Sequence, residues 1–256
     1  MIRKIEEIVR ENNFEGRAKV SMYKVIDKKT YYDFYSLLML DSIDTNSYQE
    51  YKSGYAANPQ RGVETINSIE KGYLSHRDSL KNGDFDEDEQ WVTTGSGILF
   101  EDDSSEVEKL NGVQLWLNLP RDIKMAQPEY HSIKNEYVKE FSIKNGLVQL
   151  LKDEYITYQG PSSKYWPVDY HIIHLCKENK IKIDTNEDKT VVLFSMKGQL
   201  KIDKETVEEN TAIKLTKGSF IEIESLSRDI EILLLSTYGQ KQPMVWGGPV
   251  VLNNSR

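Results

Sequence analysis

Short runs in which apolar and polar residues alternate make up most of this chain, and turn residues separate them. Period-two alternation is typical of half-buried strands, because successive side chains of a strand lie on opposite faces of a sheet. An early example is 20–25, and the dense apolar run 31–40 predicts a buried strand or pair of strands. The pattern predicts further strands at 65–69, 73–78, 90–93, 97–100, 112–117, 147–151, 156–158, 170–175, 180–183, 190–196, 199–202, 211–215, 219–223 and 230–235.

Glycine-containing turns punctuate these runs, for example at Lys71-Gly72 and Asn82-Gly83. Glycine permits the positive φ of tight turns, so we predict that 65–69 and 73–78 form a hairpin around Lys71-Gly72. Lys197-Gly198 repeats the order strand, Lys-Gly turn, strand in the second half of the chain. The two halves are therefore expected to be copies of one β architecture of the sandwich or jelly-roll kind.

Three segments depart from regular alternation. Apolar residues at positions 2, 5, 8 and 9 predict a short amphipathic turn or helix over 2–10, and a helix-like patch near 124–130 is broken by Pro128. The stretch 132–144 has a low density of apolar residues, and it is the predicted boundary between two domains, 1–131 and 132–256. The tail 246–253 is too apolar to stay in solvent, so it is expected to lie back across the first domain.

Composition narrows the class of protein. With 256 residues, 38% of them hydrophobic and 29% charged, the chain can bury a substantial core. A net charge of −8 without a cluster of Lys and Arg argues against direct nucleic-acid binding. No apolar run approaches the roughly 20 residues that span a bilayer, and no signal peptide is recognisable, so a cytoplasmic location is expected. The single cysteine, Cys176, excludes an internal disulfide and is expected to be buried.

Residues 58–120 carry five ordered motifs, namely Asn58-Pro59-Gln60-Arg61-Gly62-Val63-Glu64-Thr65, His76-Arg77-Asp78-Ser79, Gln90-Trp91, Gly95-Ser96-Gly97-Ile98 and Gln114-Leu115-Trp116-Leu117-Asn118-Leu119-Pro120. Together they resemble the pirin family, whose signature begins His-Pro-His-Arg-Gly. The resemblance implies an all-β bicupin, with two tandem cupin (jelly-roll) barrels packed together. It also implies one iron or other divalent metal, held by three histidines and a glutamate in the N-terminal barrel.

The family's four metal-ligand positions fall on Asn58, Gln60, Phe100 and Asp102, so this chain lacks all three imidazoles. First-row transition metals prefer imidazole with carboxylate, whereas an amide oxygen is a weak ligand and a phenyl ring is none. We therefore expect no tightly bound iron, no other cofactor and no catalytic residue. The remaining oxygens make a poor site for magnesium or calcium, which take six or more oxygen ligands.

The same positions, with Glu64, are a candidate pocket in which Asn58, Gln60 and Asp102 hydrogen-bond to one another or to water. Glu64 is expected to pair structurally with Arg61 or Arg77. In the second half, His171 and His174 are three residues apart in one predicted strand. They should therefore lie on opposite faces, which disfavours a two-histidine site.

Three functions remain open. Some pirins have quercetin 2,3-dioxygenase activity, and others are described as transcriptional coregulators or as partners of metabolic enzymes. The lost imidazoles favour a non-catalytic binding or regulatory module, with a protein partner. The alternatives are a dioxygenase that uses iron or another divalent metal in an oxygen-rich site, and a binder of a small aromatic molecule in the N-terminal barrel.

Overall fold

The computed structural model describes residues 1–10, 12–15, 21–26, 36–45, 58–71, 75–79, 89–103, 110–133, 138–143, 146–152, 154–155, 158–159, 164–176, 180–240 and 242–253. Within them, only the backbone is described for 12–15, 21–26, 43–45, 58, 69–71, 75–78, 89–90, 100–103, 110, 131–133, 141, 150–152, 154–155 and 158–159. The predicted run at 31–35 and the turn residues Gly72 and Asn82-Gly83 lie outside the described residues.

The chain divides into two compact units. The N-terminal unit comprises Asn12–Asn135 and Gln240–Arg256, and the C-terminal unit comprises Glu136–Gly239 and Met1–Glu11. The tail, which was expected to lie against the first domain, belongs to the N-terminal unit. The segment Met1–Glu11, which was expected to belong to the first domain, instead belongs to the C-terminal unit.

Strands of the N-terminal unit are β2 (Asn12–Glu15), β3 (Ser21–Ile26), β4 (Leu37–Thr45), β5 (Asn58–Gln60), β6 (Val63–Lys71), β7 (Ser75–Asp78), β8 (Glu89–Thr93), β9 (Ile98–Asp103), β10 (Leu110–Asn118), β11 (Glu129–Ile133), β24 (Val245–Gly247) and β25 (Val250–Leu252). They form a seven-stranded sheet in the order β11-β8-β6-β10-β4-β3-β2, a three-stranded sheet β5-β9-β7, and the hairpin β24-β25.

Strands of the C-terminal unit are β1 (Ile5–Arg10), β12 (Lys139–Ile143), β13 (Gly146–Lys152), β14 (Glu154–Tyr155), β15 (Tyr158–Gln159), β16 (Val168–Cys176), β17 (Lys180–Asp184), β18 (Lys189–Lys197), β19 (Leu200–Ile202), β20 (Glu205–Val207), β21 (Thr211–Leu215), β22 (Phe220–Ser225) and β23 (Asp229–Tyr238). They form a seven-stranded sheet β1-β21-β18-β23-β16-β13-β12, a four-stranded sheet β17-β22-β19-β20 and the pair β14-β15.

The two units share one topology. In the large sheets, the order β8-β6-β10-β4 of the N-terminal unit matches β21-β18-β23-β16 of the C-terminal unit, and β5-β9-β7 matches β17-β22-β19 in the small sheets. The prediction of two copies of one all-β architecture is therefore confirmed. Within the described ranges, no helix has the length and hydrophobicity that a bilayer crossing requires.

The prediction of a helix over 2–10 is wrong, since this segment contains β1, which pairs antiparallel with β21. A bulge between Ile5 and Glu7 inserts one extra residue, so Ile5 lies opposite Leu215 and Ile8 lies opposite Ile213. The bulge thereby places residues three apart on one face, a spacing that imitates a helix. The segment is further anchored by buried Arg3, whose guanidinium donates to Thr185 Oγ1 and to three backbone carbonyls at 2.6–3.0 Å.

Two other local predictions are also corrected. The helix-like patch at 124–130 is replaced by a 3-10 helix, Arg121–Ile123, just before it. The hairpin predicted around Lys71-Gly72 does not form, because β6 pairs with β8 and β10 whereas β7 pairs with β9. The strands before and after each Lys-Gly pair, β6 and β7 in one unit and β18 and β19 in the other, belong to different sheets, and a turn signal alone does not say which strands will pair.

The C-terminal tail lies against the N-terminal unit beside β5. Arg61 N donates to Pro249 O at 3.2 Å, and Val251 N donates to Arg61 O at 2.9 Å. Gly62, with φ +76°, permits this approach, since a Cβ there would lie 1.9 Å from Val251 O. A side chain at position 62 would therefore exclude the tail.

Candidate functional site

The three-stranded sheet β5-β9-β7 brings the transferred metal-ligand positions together. Asn58 pairs with Phe100 and Gln60 pairs with Ile98, while Asp102 follows Phe100 by two residues. Because paired residues and residues two apart share a face, all five positions lie on one face of this sheet.

That face is the inner one. Gln60 and Ile98 are only 2% and 3% exposed, whereas Leu99, on the other face, is 48% exposed. Ile98 also packs against Val92 of β8, so the face is directed toward the seven-stranded sheet.

Glu64 is not part of this group. Val92 pairs with Thr65, so Thr65 is on the inner face of the seven-stranded sheet and Glu64, its neighbour in β6, is on the opposite face. There the Thr93 hydroxyl donates to Glu64 Oε1 at 3.0 Å. The structure thus assigns Glu64 a threonine partner, while Arg61, one of its two expected partners, places Nη2 2.9 Å from Met125 Sδ.

A row of polar positions crosses the inner face of the seven-stranded sheet. Asp41, Gln114, Asn67 and Gln90 follow one another on β4, β10, β6 and β8 as cross-strand partners. Gln114 Nε2 donates to Asn67 Oδ1 at 2.9 Å, and both side chains are at most 4% exposed. The N-terminal unit therefore has a buried interior that can offer hydrogen bonds.

The matching row of the C-terminal unit is largely aliphatic. Counted from the Lys-Gly turns, Leu193 replaces Asn67, and its cross-strand partners are Ile213 and Leu234. These residues belong to one continuous aliphatic core. The fourth position of this row is His171 of β16, which pairs with Leu234 and is 2% exposed. Three of the four positions are therefore aliphatic in the C-terminal unit, whereas all four are polar in the N-terminal unit, so the N-terminal unit is the candidate binding site.

Three inner-face positions of the N-terminal unit carry buried polar atoms without a hydrogen-bond partner among the described residues. They are Gln60 Oε1, Thr65 Oγ1 and Trp116 Nε1, on side chains that are 2%, 1% and 5% exposed. Trp116 pairs directly with Thr65, so the two share the inner face. A buried unsatisfied group costs about 1–3 kcal/mol, and such groups are uncommon in folded proteins. They mark a place where a ligand or water would supply the missing partners.

Sequence analysis did not identify Thr65 and Trp116 as candidate site residues. Their strands alternate polar and apolar residues, which predicts one solvent-exposed face. In the structure both faces of β6 are buried, because Ile66 and Thr65 are only 2% and 1% exposed. A useful signal would have been the polar residues Thr65 and Asn67 in a strand whose topological twin, β18, carries Val191 and Leu193 at the corresponding positions.

The transferred positions do not fit an iron centre. They supply two amides, a phenyl ring and one carboxylate, and first-row metals bind such a set weakly compared with imidazole and carboxylate. A histidine position does belong to the same face by strand register, since His76 of β7 pairs with Asp102. His76 is two strands away from β5, however, so it does not restore the arrangement that Asn58 and Gln60 have lost.

A buried lysine holds the chain beside this site. Lys124 is 2% exposed, and its Nζ donates to Gly62 O at 2.9 Å and to Asn118 Oδ1 at 2.5 Å. Gln240, at the start of the tail, donates from Nε2 to Asn118 O at 2.7 Å. Burial lowers the pKa of Lys124 from 10.5 to about 7, because the charged amine loses its hydration.

The ring of Trp246 in β24 lies 6.4 Å from that of Trp116, so the tail approaches the inner face.

The stability of the N-terminal unit should depend on the pH through Lys124. Between about pH 7 and 10.5 the folded state holds this amine neutral while the unfolded chain holds it protonated, so the free energy of unfolding should rise with pH. The contribution of this one group is at most about 1.4 kcal/mol per pH unit. Denaturant unfolding of the wild type and Lys124→Met at several pH values should give a difference that changes across this window. Lys217→Met, at an exposed lysine, should follow the wild type; a constant difference between the wild type and Lys124→Met would contradict the assignment.

The two histidines of the C-terminal unit, His171 and His174, lie on opposite faces of one strand. His171 is 2% exposed on β16, and His174, three residues further along this regularly paired strand, is on the opposite face. His174 Nε2 lies 3.4 Å from Gln149 Oε1. Cys176, which was expected to be buried, is exposed at the end of β16.

Comparison with known proteins agrees with this architecture. The sequence model of the family described as Pirin matches residues 18–117, and the model of the Pirin C-terminal cupin domain matches residues 170–256. A pirin-like protein of Caulobacter vibrioides is 24% identical over 262 residues, covering 98% of this chain and 93% of that protein.

Two solved structures show the fold. Quercetin 2,3-dioxygenase from Acinetobacter baumannii superposes with a TM-score of 0.88 at 21% identity, covering 100% of this chain and 93% of that one. The bacterial pirin YhhW from Escherichia coli, in complex with nickel(II), gives a TM-score of 0.71 at 16% identity, covering 91% and 99% of the two chains. The predicted class, an all-β protein with two tandem cupin domains, is therefore confirmed.

Proposed function

Because the chain belongs to the pirin family, we propose that it is a bicupin whose N-terminal unit binds a small molecule without tightly bound iron. The observation that carries the proposal is the inner face of that unit. The family's metal positions on this face are occupied by Asn58, Gln60, Phe100 and Asp102, and three buried polar atoms, Gln60 Oε1, Thr65 Oγ1 and Trp116 Nε1, lack partners among the described residues. Such a face suits hydrogen bonding to a ligand better than coordination of a transition metal.

The alternative is a dioxygenase, which the name of the Acinetobacter baumannii structure favours. Oxygen chemistry at a cupin metal needs ligands that hold the ion firmly and leave coordination positions open. Asp102 is the one carboxylate among the transferred positions, and no imidazole accompanies it there. The alternative therefore requires a divalent ion held mainly by neutral amide oxygens.

An oxygen-consumption assay with quercetin separates the two functions. We expect no metal-dependent oxygen uptake with iron, nickel or manganese, because the donor set does not retain these ions during turnover. Absorbance of the flavonol, followed in parallel, should not decay faster than in a protein-free control.

Asp102→Ala is the matched variant for this assay, and Glu101→Ala is its control on the other face of β9. A metal-dependent rate that Asp102→Ala abolishes and Glu101→Ala preserves would establish the dioxygenase and refute the proposed function.

A further inference from the structure

The inner face of the N-terminal unit also indicates what kind of ligand it binds, an inference that rests on the proposed function. We propose that the ligand is an uncharged polyhydroxylated molecule of the monosaccharide or cyclitol class, bound between the three-stranded sheet and the Thr65–Trp116 pair of the seven-stranded sheet.

The first argument is hydrogen-bond complementarity. Gln60 Oε1 is an acceptor and needs a donor, Trp116 Nε1 is a donor and needs an acceptor, and the Thr65 hydroxyl can take either role. A hydroxyl group donates and accepts at once, so a molecule carrying several hydroxyls satisfies all three atoms without a special arrangement of different groups. A hydrocarbon or a purely accepting ligand would leave at least one of them unpaired and buried.

The second argument is charge. Thr65, Asn67, Gln114 and Trp116 supply only neutral groups to the inner face. Asp41 is ionisable and already has a partner within the chain, and Lys124 is committed to Gly62 O and Asn118 Oδ1. Asp102 adds a carboxylate position to this face, so an anionic ligand would be buried beside it without a free positive charge among the described side chains, which is strongly unfavourable.

The third argument is the combination of surfaces. The indole of Trp116 provides an apolar face next to the amide pair Gln114–Asn67, and Trp246 of the tail lies beside it. Binding pockets commonly combine an aromatic surface with a few placed polar groups. The C–H face of a sugar or cyclitol ring can lie on the indole while its hydroxyls reach the unpartnered polar atoms. An aromatic ligand without hydroxyls would leave Gln60 Oε1, Thr65 Oγ1 and Trp116 Nε1 without partners.

The test uses the full-length protein and a set of defined probes. Thermal shift and calorimetric titration are run with D-glucose, D-galactose, D-xylose and myo-inositol as neutral probes. Gluconate serves as the charged counterpart, and quercetin serves as the aromatic one. We expect at least one neutral probe to raise the melting temperature and to bind with one site per chain.

Thr65→Val removes one polar atom and keeps the shape of the side chain, whereas Trp116→Phe removes the indole N–H together with part of the aromatic surface. Thr65→Val should raise the dissociation constant of the bound probe by about 5-fold, the typical effect of one lost hydrogen bond, and Trp116→Phe should raise it at least as much. Without ligand, Thr65→Val should melt no lower than the wild type, because it removes an unsatisfied buried hydroxyl. Trp91→Phe, at a buried tryptophan that pairs with Ile66 on the opposite face, is the control and should bind like the wild type.

Each other outcome overturns the inference. These outcomes are no binding of any neutral probe, binding of gluconate or quercetin alone, or equal weakening by Trp91→Phe and Trp116→Phe. If Trp116→Phe does not fold, the affinity of Thr65→Val alone tests the inference, because this variant is expected to bind the probe more weakly without melting lower than the wild type. Metal analysis keeps the two proposals separate: stoichiometric iron overturns the proposed function, whereas an iron-free protein that ignores every neutral probe overturns only the ligand class.

Discussion

Replacing Lys189 by methionine is expected to destabilise the C-terminal unit by about 3–5 kcal/mol, the usual effect of breaking a buried ion pair. Lys189 Nζ donates to both carboxylate oxygens of Asp169 at 2.8 Å, and the two side chains are only 6% and 10% exposed. The Ser236 hydroxyl also donates to Asp169 Oδ2. Without Lys189, a carboxylate remains buried with one hydroxyl partner. Denaturant unfolding monitored by intrinsic fluorescence measures the loss.

Two variants make this prediction specific. Lys182→Met removes a comparable ion pair, 3.0 Å from Asp184, whose partners are 54% and 69% exposed, and it should change stability by less than about 1 kcal/mol. Combining Lys189→Met with Asp169→Leu should recover most of the loss, because the buried charge is removed with its partner. If Lys189→Met were no more destabilising than Lys182→Met, the pair would not have the structural role assigned to it.

Restoring the family's ligands should create a metal centre. The variant Asn58→His, Gln60→His, Phe100→His, Asp102→Glu places three imidazoles and a carboxylate at positions that share the inner face of β5 and β9. Nickel titration, followed by calorimetry and elemental analysis, should give about one tightly bound ion per chain, as expected for this ligand type. The scaffold is otherwise unchanged, so the gain would come from the donors alone.

The matched control moves one histidine by a single residue. Leu99→His in place of Phe100→His puts the third imidazole on the outer face, where Leu99 is 48% exposed. This control lacks one direct ligand. Its nickel affinity should therefore be lower by more than the roughly 10- to 100-fold that loss of an outer-shell partner costs. Equal affinity of the two variants would mean that the inner face of β9 is not where the family's ligand positions meet.

Most strands could be predicted from sequence because period-two alternation is a direct consequence of pleating. The exceptions have physical reasons. The bulge in β1 placed Ile5 and Ile8 on one face and so imitated a helix. Strand β7 pairs with β9 and not with β6, and the residues Lys71-Gly72 do not indicate which strand β7 will join.

The site was only partly accessible from sequence. The family resemblance identified Asn58, Gln60, Phe100 and Asp102 as one group, and the strand pairing places them on one face. The candidate pocket also included Glu64. The chain, however, passes from the three-stranded to the seven-stranded sheet between Gln60 and Glu64, and this change of sheet reverses which residues are inward. Recognising the change needs the three-dimensional packing of Val92 against Ile98.

The central claim is that this chain keeps the pirin scaffold but has lost the side chains that hold its metal. Elemental analysis of the purified wild-type protein, expressed in iron-supplemented medium and prepared without chelators, tests it directly. A chain without the imidazoles that first-row metals prefer should carry less than about 0.1 equivalents of iron, nickel or manganese. About one equivalent of any of these metals, retained through gel filtration and lost in Asp102→Ala, would contradict the claim.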